Sequence, residues 1–267
     1  MVKIRKFKLS DIESIKPLQP EGWSDITFFF RFYHSHEFCY PVVALKDGKT
    51  VGVANATLNE KTGWLAHIIV ADEFRNMGIG YQLTQYLIDF LSKHDCCTLL
   101  LIATKMGEGL YRKFGFETVS EYLFFREKML KTVAEYENIR PYKKSDLPAI
   151  LSIDQHISAE KRSHMLSCFL SNSWVYDSGS AIEGFFLPDF EEGMIIAEND
   201  KAGLELLAFK HSLKKAKTVL PVENKTGTEF LFAHGFENYS MAPRMVLGKN
   251  INWKPQNIFS RAGGFYG

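Results

Sequence analysis

Residues 67–91 combine a buried strand, a glycine turn and an amphipathic helix within one short segment. Their sequence is HIIVADEFRNMGIGYQLTQYLIDFL. The stretch from Trp64 to Val70 is short and mostly apolar, as expected for a strand buried inside a sheet. After Gly78 and Gly80, apolar residues recur at spacings of three and four, which predicts one buried helix face. That face consists of Ile79, Leu83, Tyr86, Leu87, Phe90 and Leu91. The segment therefore predicts a strand, a turn and a helix in direct succession.

The turn in this segment is suited to bind an anion. A helix N-terminus carries unpaired N–H groups and a partial positive charge, where a phosphate can lie. Gly78 and Gly80 have no Cβ, so the backbone can approach such a ligand closely. The segment lacks the Gly-Lys-Ser/Thr of a Walker loop, and its spacing is not the dinucleotide G-x-G-x-x-G. From residues 75–80 alone, a phosphate-binding site and a turn that binds no ligand are equally plausible interpretations.

The composition is that of a globular chain with either one large or two small domains, and we favour two. The chain has 267 residues, of which 46% are hydrophobic and 24% charged. Its formal net charge of +1 gives no global reason to expect nucleic acid or a membrane as a partner. The N-terminal sequence MVKIRKFKLS lacks the apolar core of a signal peptide, and no later apolar run could span a bilayer. We therefore expect a cytoplasmic protein.

The cysteines and histidines do not predict a metal site. Cys39, Cys96, Cys97 and Cys168 form no C-x-x-C pair, and no histidine stands near them at metal-ligand spacing. We interpret the cysteines as structural free thiols and expect no metal.

Two pairs of similar segments indicate an internal duplication. IRKFKLSDIESI from Ile4 resembles IRPYKKSDLPAI from Ile139, and FGFE ending at Glu117 resembles HGFE ending at Glu237. In the first half, Ser10 is the expected helix cap, with Glu13 completing a capping box. We predict two domains, residues 1–132 and residues 133–267.

The glycine turn, taken together with its surroundings, resembles the R/Q-x-x-G-x-G/A loop of the GNAT acetyltransferases. The resemblance implies an α/β (α+β) fold class, with tandem GNAT folds that each contain a mixed, largely antiparallel sheet flanked by helices. It also implies that acetyl-coenzyme A is bound as the acyl donor, with loop amides holding the pyrophosphate and a backbone N–H near Val70 polarising the thioester carbonyl. The residues that would bind this cofactor are Ile68, Val70, Arg75, Asn76, Met77, Gly78, Ile79, Gly80, Tyr81 and Thr104.

A second motif, ATKMGEGLYRKFGFE from Ala103, carries the same resemblance. GNAT enzymes commonly have a tyrosine four residues before a Gly-Phe pair, and here that tyrosine is Tyr111. The resemblance implies that Tyr111 is the general acid for the departing thiolate, since acyl transfer from a thioester needs one. A tyrosine packed in the core is the competing interpretation. Gly107 departs from the pattern, because the family usually has alanine there.

The second half has a degenerate counterpart of this site. AENDKAGLELL replaces the phosphate loop with a single glycine and has two acidic residues near the helix start, and Leu231 stands where Tyr111 does. Carboxylates at a pyrophosphate site disfavour binding. We therefore expect the second domain to have no phosphate loop.

The sequence does not identify the general base. Some GNAT enzymes have a glutamate or histidine where this chain has Ala66, and strand alternation puts His67 with Leu65 and Ile69, on the other face. We interpret His67 as a sheet histidine packed against a helix. Three candidates for the base stay open: water, an unplaced carboxylate and the C-terminal carboxylate. The C-terminal carboxylate is the base in the tandem-GNAT N-myristoyltransferases, and this chain ends in RAGGFYG. For that segment we favour a disordered tail.

Acceptor residues are predicted only at Trp23 and Trp64, and core packing explains both equally well. Trp64 is expected on the same strand face as Val70, and Trp23 in the loop after the first helix. The aromatic segment 26–38 either lines an acceptor site or packs as a helix face.

The function expected from these motifs is acetyl transfer from acetyl-coenzyme A to a primary amine. The alternatives are a longer-chain acyl-coenzyme A donor and a non-catalytic coenzyme-binding regulatory module. The expected partner is a small-molecule amine, without nucleic acid or membrane, and a homodimer stays open.

Overall fold

The computed structural model describes residues 1–130 and 136–267. Contacts within the chain divide it into two compact units. The first unit contains Met1–Glu117, Val246–Asn250 and Tyr266, and the second contains Thr118–Met245, Ile251–Phe265 and Gly267. The predicted boundary between residues 132 and 133 lies outside the described residues and stays a prediction.

The first unit is a twisted sheet with helices packed on it. Its strands are β1 (Val2–Lys6), β2 (Cys39–Lys46), β3 (Lys49–Asn59), β4 (Thr62–Val70) and β5 (Thr98–Ile102). Its helices are α1 (Ile12–Ile15), α2 (Ile26–Ser35), α3 (Ile79–Lys93) and α4 (Glu108–Lys113). The strands lie in the order β1-β2-β3-β4-β5, antiparallel except for the parallel pair β4–β5. The mixed, largely antiparallel sheet that the sequence predicted is confirmed.

Helix α3 covers one face of this sheet closely because glycines on the strands leave room for it. A Cβ on Gly52 of β3 would lie 3.1 Å from the Leu83 side chain, and a Cβ on Gly63 of β4 would lie 2.6 Å from that of Leu91. Leu83 and Leu91 belong to the apolar helix face predicted from the sequence, and both are buried. The glycine positions therefore fix which face of β3 and β4 carries α3.

A β-bulge interrupts β4 and changes which side chains share a face. Asn55 of β3 pairs with Ala66, whereas Val53 pairs with Ile69, so two residues of β4 oppose one residue of β3. His67 in the bulge has a φ of 48°. Side-chain alternation is reset across the bulge, which no hydrophobic pattern in the sequence indicates.

The reset corrects two expectations. Trp64 pairs with Thr57, and Val70 pairs with Gly52. Thr57 and Gly52 are five residues apart on a regular part of β3, and residues an odd number apart point to opposite faces. Trp64 and Val70 therefore lie on opposite faces of the sheet. By the same register Leu65 and Ile69 also lie on opposite faces, so His67 cannot share one face with both. The prediction that Trp64 shares the face of Val70 is wrong.

Strands β4 and β5 pair only over their first residues. The paired residues are Thr62–Trp64 with Thr98–Leu100. Beyond Trp64, the edge of β4 that faces β5 has no ladder partner on that strand, so its backbone polar groups are available to a ligand. This opening lies directly before the bulge and the glycine turn.

The second unit contains two sheets. Its strands are β6 (Glu117–Lys128), β7 (Ile139–Pro141), β8 (Trp174–Asp177), β9 (Ile182–Leu187), β10 (Met194–Ala197), β11 (Ala216–Pro221), β12 (Asn238–Gly248) and β13 (Ile258–Ser260). Its helices are α5 (Leu147–Ser158), α6 (Ser163–Leu166), α7 (Asp200–Leu213) and α8 (Lys225–Ala233). One sheet has the order β12-β6-β11, and the other the antiparallel order β13-β10-β9-β8-β7.

Both halves begin with the same ion pair. Arg5 donates to both carboxylate oxygens of Asp11 at 2.7 and 2.8 Å, and Arg140 does the same to Asp146 at 2.8 and 3.0 Å. Each carboxylate also accepts a bond from the backbone N–H three residues before it. The aspartates hold the strand-to-helix turn, so the expected cap at Ser10 is wrong and the similar segments fold alike.

Both halves also place the same turn after a short helix. Gly115 and Gly235 have φ values of 88° and 69°, which L side chains rarely adopt. The N–H of the residue after each glycine donates to the carbonyl of Tyr111 and of Leu231, respectively. The predicted correspondence of Tyr111 with Leu231 therefore holds in the backbone hydrogen bonds.

Candidate active site

The predicted phosphate loop forms an exposed turn between β4 and α3. Asn76 and Gly78 have φ values of 61° and 78°, and nothing lies within 4 Å of a Cβ built on Gly78. Arg75, half-exposed, pairs with Asp72 at 2.5 Å. Met77 is also exposed. The turn is therefore open to a ligand on its outer side.

The N-terminus of α3 has no cap from a side chain. Gly78 is its N-cap residue, and the first helical bond runs from the Gln82 N–H to the Gly78 carbonyl. The amides of Ile79, Gly80 and Tyr81 precede this bond, so they are available to an anion. The Ile79 side chain is only 2% exposed, which means that this residue can contribute its backbone alone.

The equivalent helix of the second unit is closed at the same place. Asn199 caps α7, its side chain accepting a bond from the Ala202 N–H at 3.0 Å. Gly203, the glycine of the degenerate loop, lies against Phe259, with only 2.1 Å between a built Cβ and the ring. This glycine makes room for an aromatic side chain and not for a ligand.

Helix α4 packs against the start of α3. A Cβ on Gly80 would lie 3.4 Å from Leu110 and 3.8 Å from Val70, so three predicted parts of the site meet here. The next residue of α3, Tyr81, has an exposed ring that stacks on Phe114 at the end of α4, with 4.4 Å between ring centroids. The end of β4, the glycine turn and the helix of Tyr111 are thus brought together.

Tyr111 is buried at the base of this arrangement. Its ring lies so close to Gly107 that a Cβ there would be 2.9 Å from Cε2. Thr104, an exposed residue, accepts a bond on its hydroxyl from the Gly107 N–H at 3.2 Å and so helps to form the turn into α4. Among the described residues the Tyr111 hydroxyl has no hydrogen-bond partner.

Burial raises the pKa of Tyr111 to about 12. Removing a phenolate from water costs free energy, so the neutral phenol is favoured. Tyr111 therefore keeps its proton throughout the physiological range and can donate it, but it cannot serve as a base there.

Trp23 lies at the other side of the bulge. The side-chain amide of Gln19 holds its loop by donating to the carbonyls of Pro20, Trp23 and Ser24 at 3.1–3.2 Å and by accepting from the Ile26 N–H at 2.9 Å. Trp23 is 43% exposed, and its ring lies edge-on to His67 at 5.8 Å between centroids. The predicted acceptor loop is thus beside the bulge of β4.

His67 packs against α2, as predicted, although on a strand that bulges. Its Nδ1 lies 2.7 Å from the Tyr33 hydroxyl, and its ring lies 4.8 Å from that of Phe29. Burial lowers the pKa of His67 to about 4, because the charged imidazolium loses its hydration. An imidazole with so low a pKa is a weak base at neutral pH, and this argues against a general-base role.

Trp64 is fully buried, with 0% of its surface exposed, and its ring lies 6.1 Å from that of Tyr266. The Tyr266 hydroxyl donates a short hydrogen bond to Asn59 Oδ1. The expected disordered tail is therefore wrong, since Phe265 and Tyr266 are both buried. Sequence reasoning missed Tyr266, because a single tyrosine in a glycine-rich tail carries no periodic signal.

Two classes of feature are absent from residues 1–130 and 136–267. No group of three or more histidine, cysteine, aspartate or glutamate side chains is placed to hold a metal ion. No helix there is long and apolar enough to cross a membrane.

Comparisons with known proteins agree with this geometry. Residues 9–116 match the model of the acetyltransferase (GNAT) family. An uncharacterized N-acetyltransferase of Methanocaldococcus jannaschii is 23% identical over 114 residues, which make up 42% of this chain and 72% of that protein.

Two solved structures share the fold over most of the chain. A Pyrococcus horikoshii protein described as an acetyltransferase is 20% identical, with a TM-score of 0.86 over 100% of this chain and 96% of that one. A tandem GNAT protein from the clavulanic acid biosynthesis pathway is 12% identical, with a TM-score of 0.63 over 93% and 98% of the two chains. At these identities the likeness shows the fold, and the predicted tandem architecture is confirmed.

Proposed function

Residues 9–116 are a GNAT-family acetyltransferase domain, and on that premise we propose that the protein moves the acetyl group of acetyl-coenzyme A to a primary amine, with Tyr111 as general acid. Membership of this family makes the chain an acyltransferase and acetyl-coenzyme A its acyl donor. The nature of the acceptor and the role of Tyr111 are the proposed parts.

The donor site is the turn from Arg75 to Gly80 together with the start of α3. Its free amides and its lack of a side-chain cap suit the pyrophosphate of the coenzyme. The coenzyme arm would then follow the gap between β4 and β5, where the strands no longer pair. Backbone N–H groups near Ile68 and Val70 would polarise the thioester carbonyl.

The reaction needs one proton delivered and one removed. The neutral amine attacks the thioester carbonyl, the new C–N bond forms, and the C–S bond breaks to release a thiolate. Tyr111 gives its proton to that thiolate, and the amine loses its extra proton to solvent, from which Tyr111 is protonated again. The single observation that carries this role is the Tyr111 hydroxyl, which is neutral and has no partner among the described residues, on a helix packed against the phosphate-binding turn.

A coenzyme-binding measurement and a turnover measurement test the proposal together. Acetyl-coenzyme A should raise the unfolding temperature of the protein, because a ligand that binds only the native state stabilises it. Release of the coenzyme thiol should then be screened against a library of amines. Stabilisation by the coenzyme with no turnover on any amine would contradict the proposed acceptor class.

The variant Tyr111→Phe separates catalysis from binding. We expect kcat to fall by about 10²-fold, the usual contribution of a general acid, while the temperature shift caused by acetyl-coenzyme A persists. An unchanged kcat would remove Tyr111 from the mechanism. A parallel panel of longer acyl donors tests whether the acetyl group is preferred, since the turn contacts the pyrophosphate and not the acyl chain.

The remaining expectations belong to the same proposal. The acceptor would be a small molecule, with neither nucleic acid nor membrane as a partner, and the enzyme would work in the cytoplasm. The second unit, with α7 capped by Asn199, would bind no coenzyme.

A further inference from the structure

Strand β3 carries a row of polar side chains in a place where apolar ones are expected. Asn55, Thr57 and Asn59 alternate along the strand and are 0%, 0% and 1% exposed. Because Asn55 is three residues from Gly52, which faces α3, the row lies on the sheet face away from that helix. The intervening residues, Ala54 and Ala56, are apolar. Strands buried on both faces are usually apolar throughout, so the row needs an explanation.

Most groups of this row have partners. The amide Nδ2 of Asn55 donates to the Thr57 hydroxyl at 3.1 Å, and Asn59 Oδ1 accepts from Tyr266. The exception is Asn55 Oδ1, a buried acceptor without a partner among the described residues. A buried acceptor that has lost its hydration and gained no hydrogen bond destabilises the folded protein. Such a group persists where a ligand or an ordered water uses it.

The position of Asn55 favours the ligand. Asn55 pairs with Ala66, the last regular residue of β4 before the bulge. His67 and Ile68, in the bulge after Ala66, are only half-buried, so solvent reaches β4 next to the partner of Asn55, where the thioester carbonyl would be held. The row is on the face opposite α3, whereas the coenzyme occupies the N-terminus of α3.

We propose that Asn55 Oδ1 positions the acceptor by accepting a hydrogen bond from an N–H of its amino group. This orients the nitrogen lone pair towards the thioester carbonyl. Asn55 is uncharged, so it stabilises the unreactive ammonium ion less than a carboxylate at the same place would. This role rests on the proposed amine acetylation and adds to it a positioning residue for the acceptor.

The first test measures the stability of the free protein. Asn55→Val removes the unpaired acceptor and keeps a shape suited to a strand, whereas the matched control Thr57→Val removes the partner of Asn55 Nδ2. If Asn55 is kept for function, the denaturation midpoint of Asn55→Val equals or exceeds that of the wild type, and that of Thr57→Val is lower. A lower midpoint for Asn55→Val with unchanged turnover would make Asn55 a structural residue and overturn the proposal.

The second test measures turnover with butylamine and benzylamine as probes, together with the best amine from the library. Asn55→Val should lower kcat/KM for the amine at least tenfold and leave the temperature shift with acetyl-coenzyme A unchanged. Asn55→Asp should move the pH dependence of kcat/KM to higher pH, because a carboxylate there holds the unreactive ammonium form.

The outcomes separate the two proposals. Wild-type turnover with an unaltered amine KM in both Asn55 variants overturns the role of Asn55 alone. No wild-type turnover on any amine overturns the proposed function, and the role of Asn55 falls with it.

Discussion

At the scale of single residues, the proposed role of Tyr111 depends on how tightly its ring is packed. Gly107 begins the turn into α4, and its missing Cβ leaves room for the tyrosine ring. The family usually has alanine at this position, so the glycine is a feature of this chain. It lets the ring lie back over the start of the helix, where burial keeps the phenol neutral.

The glycines of α4 provide a matched pair of variants. A Cβ on Gly107 would lie 2.9 Å from the Tyr111 ring, whereas nothing lies within 4 Å of a Cβ on Gly109. We expect Gly107→Ala to displace the tyrosine and lower kcat about tenfold, because a misplaced proton donor is less effective. Gly109→Ala should keep full activity and stabilise the helix by up to about 1 kcal/mol. Thiol-release kinetics and thermal unfolding of both variants check this, and equal activities would contradict it.

The raised pKa of Tyr111 leads to a prediction about the alkaline limb of the pH profile. A donor whose pKa is about 12 stays protonated at pH 10, so it loses no activity below that pH. We expect kcat to remain level from pH 8 to pH 10, once saturating substrates are used. A fall in kcat with an apparent pKa near 9 in the wild type, absent from Tyr111→Phe, would show that the phenol ionises earlier than its burial implies.

At the scale of elements, the sequence was most informative where a local pattern determines the structure. Asp47 and Gly48 form the turn between β2 and β3, with φ values of 51° and 79°, as an Asp-Gly pair favours, and residues 79–93 form the predicted helix. The bulge at His67 was not predictable, because it arises from the register of β4 against β3 and not from composition. The buried position of Tyr266 depends on its hydrogen bond to Asn59, 207 residues away in the sequence, and a periodic pattern does not predict such a contact.

Helices α3 and α7 use their N-terminal glycines for different purposes, and alanine variants should reveal this. Gly78 has a φ of 78° and nothing within 4 Å of a built Cβ, so Gly78→Ala should cost only the strain of that backbone conformation, on the order of 1 kcal/mol, while the extra Cβ hinders the pyrophosphate. Gly203→Ala would clash with Phe259 at 2.1 Å and should cost about 2 kcal/mol or more.

The measurements are denaturant unfolding and the temperature shift caused by acetyl-coenzyme A. We expect Gly78→Ala to lose most of the shift with only a small loss of stability, and Gly203→Ala to lose much more stability while the folded fraction keeps the shift. The reverse pattern would mean that α7, and not α3, binds the coenzyme.

At the scale of the whole molecule, the two halves share their framework and differ in their sites. The ion pairs Arg5–Asp11 and Arg140–Asp146 hold equivalent turns, and hydrogen bonds from each arginine hold the pKa of its aspartate below the usual range. The residues that would carry chemistry have diverged, with Leu231 standing where Tyr111 does. The shared framework therefore does not by itself predict a second donor site.

Each unit also contains a neutral histidine with a lowered pKa, half-buried in the first unit and fully buried in the second, and this makes stability depend on pH. Burial lowers the pKa of His67 to about 4 and that of His211 to about 3. His211 Nδ1 donates to the Lys128 carbonyl, and Nε2 of the neutral ring accepts from the Thr218 hydroxyl, so both nitrogens are engaged. In the unfolded chain, both histidines bind a proton near pH 6.5.

Below pH 6.5 the unfolded chain therefore holds protons that the folded protein rejects, and the free energy of unfolding must fall as the pH falls. Between pH 6.5 and pH 5 the loss should reach up to about 2 kcal/mol for each histidine, since one pKa unit corresponds to about 1.4 kcal/mol. Two variants should each reduce the change in the free energy of unfolding with pH. They are His67→Phe, whose ring fits among the surrounding aromatic rings, and His211→Gln, which keeps hydrogen-bonding groups. Urea unfolding at pH 7 and pH 5 measures it, with His94→Gln as a control because His94 is exposed. A wild-type stability that is equal at the two pH values would show that the buried imidazoles are protonated in the folded protein.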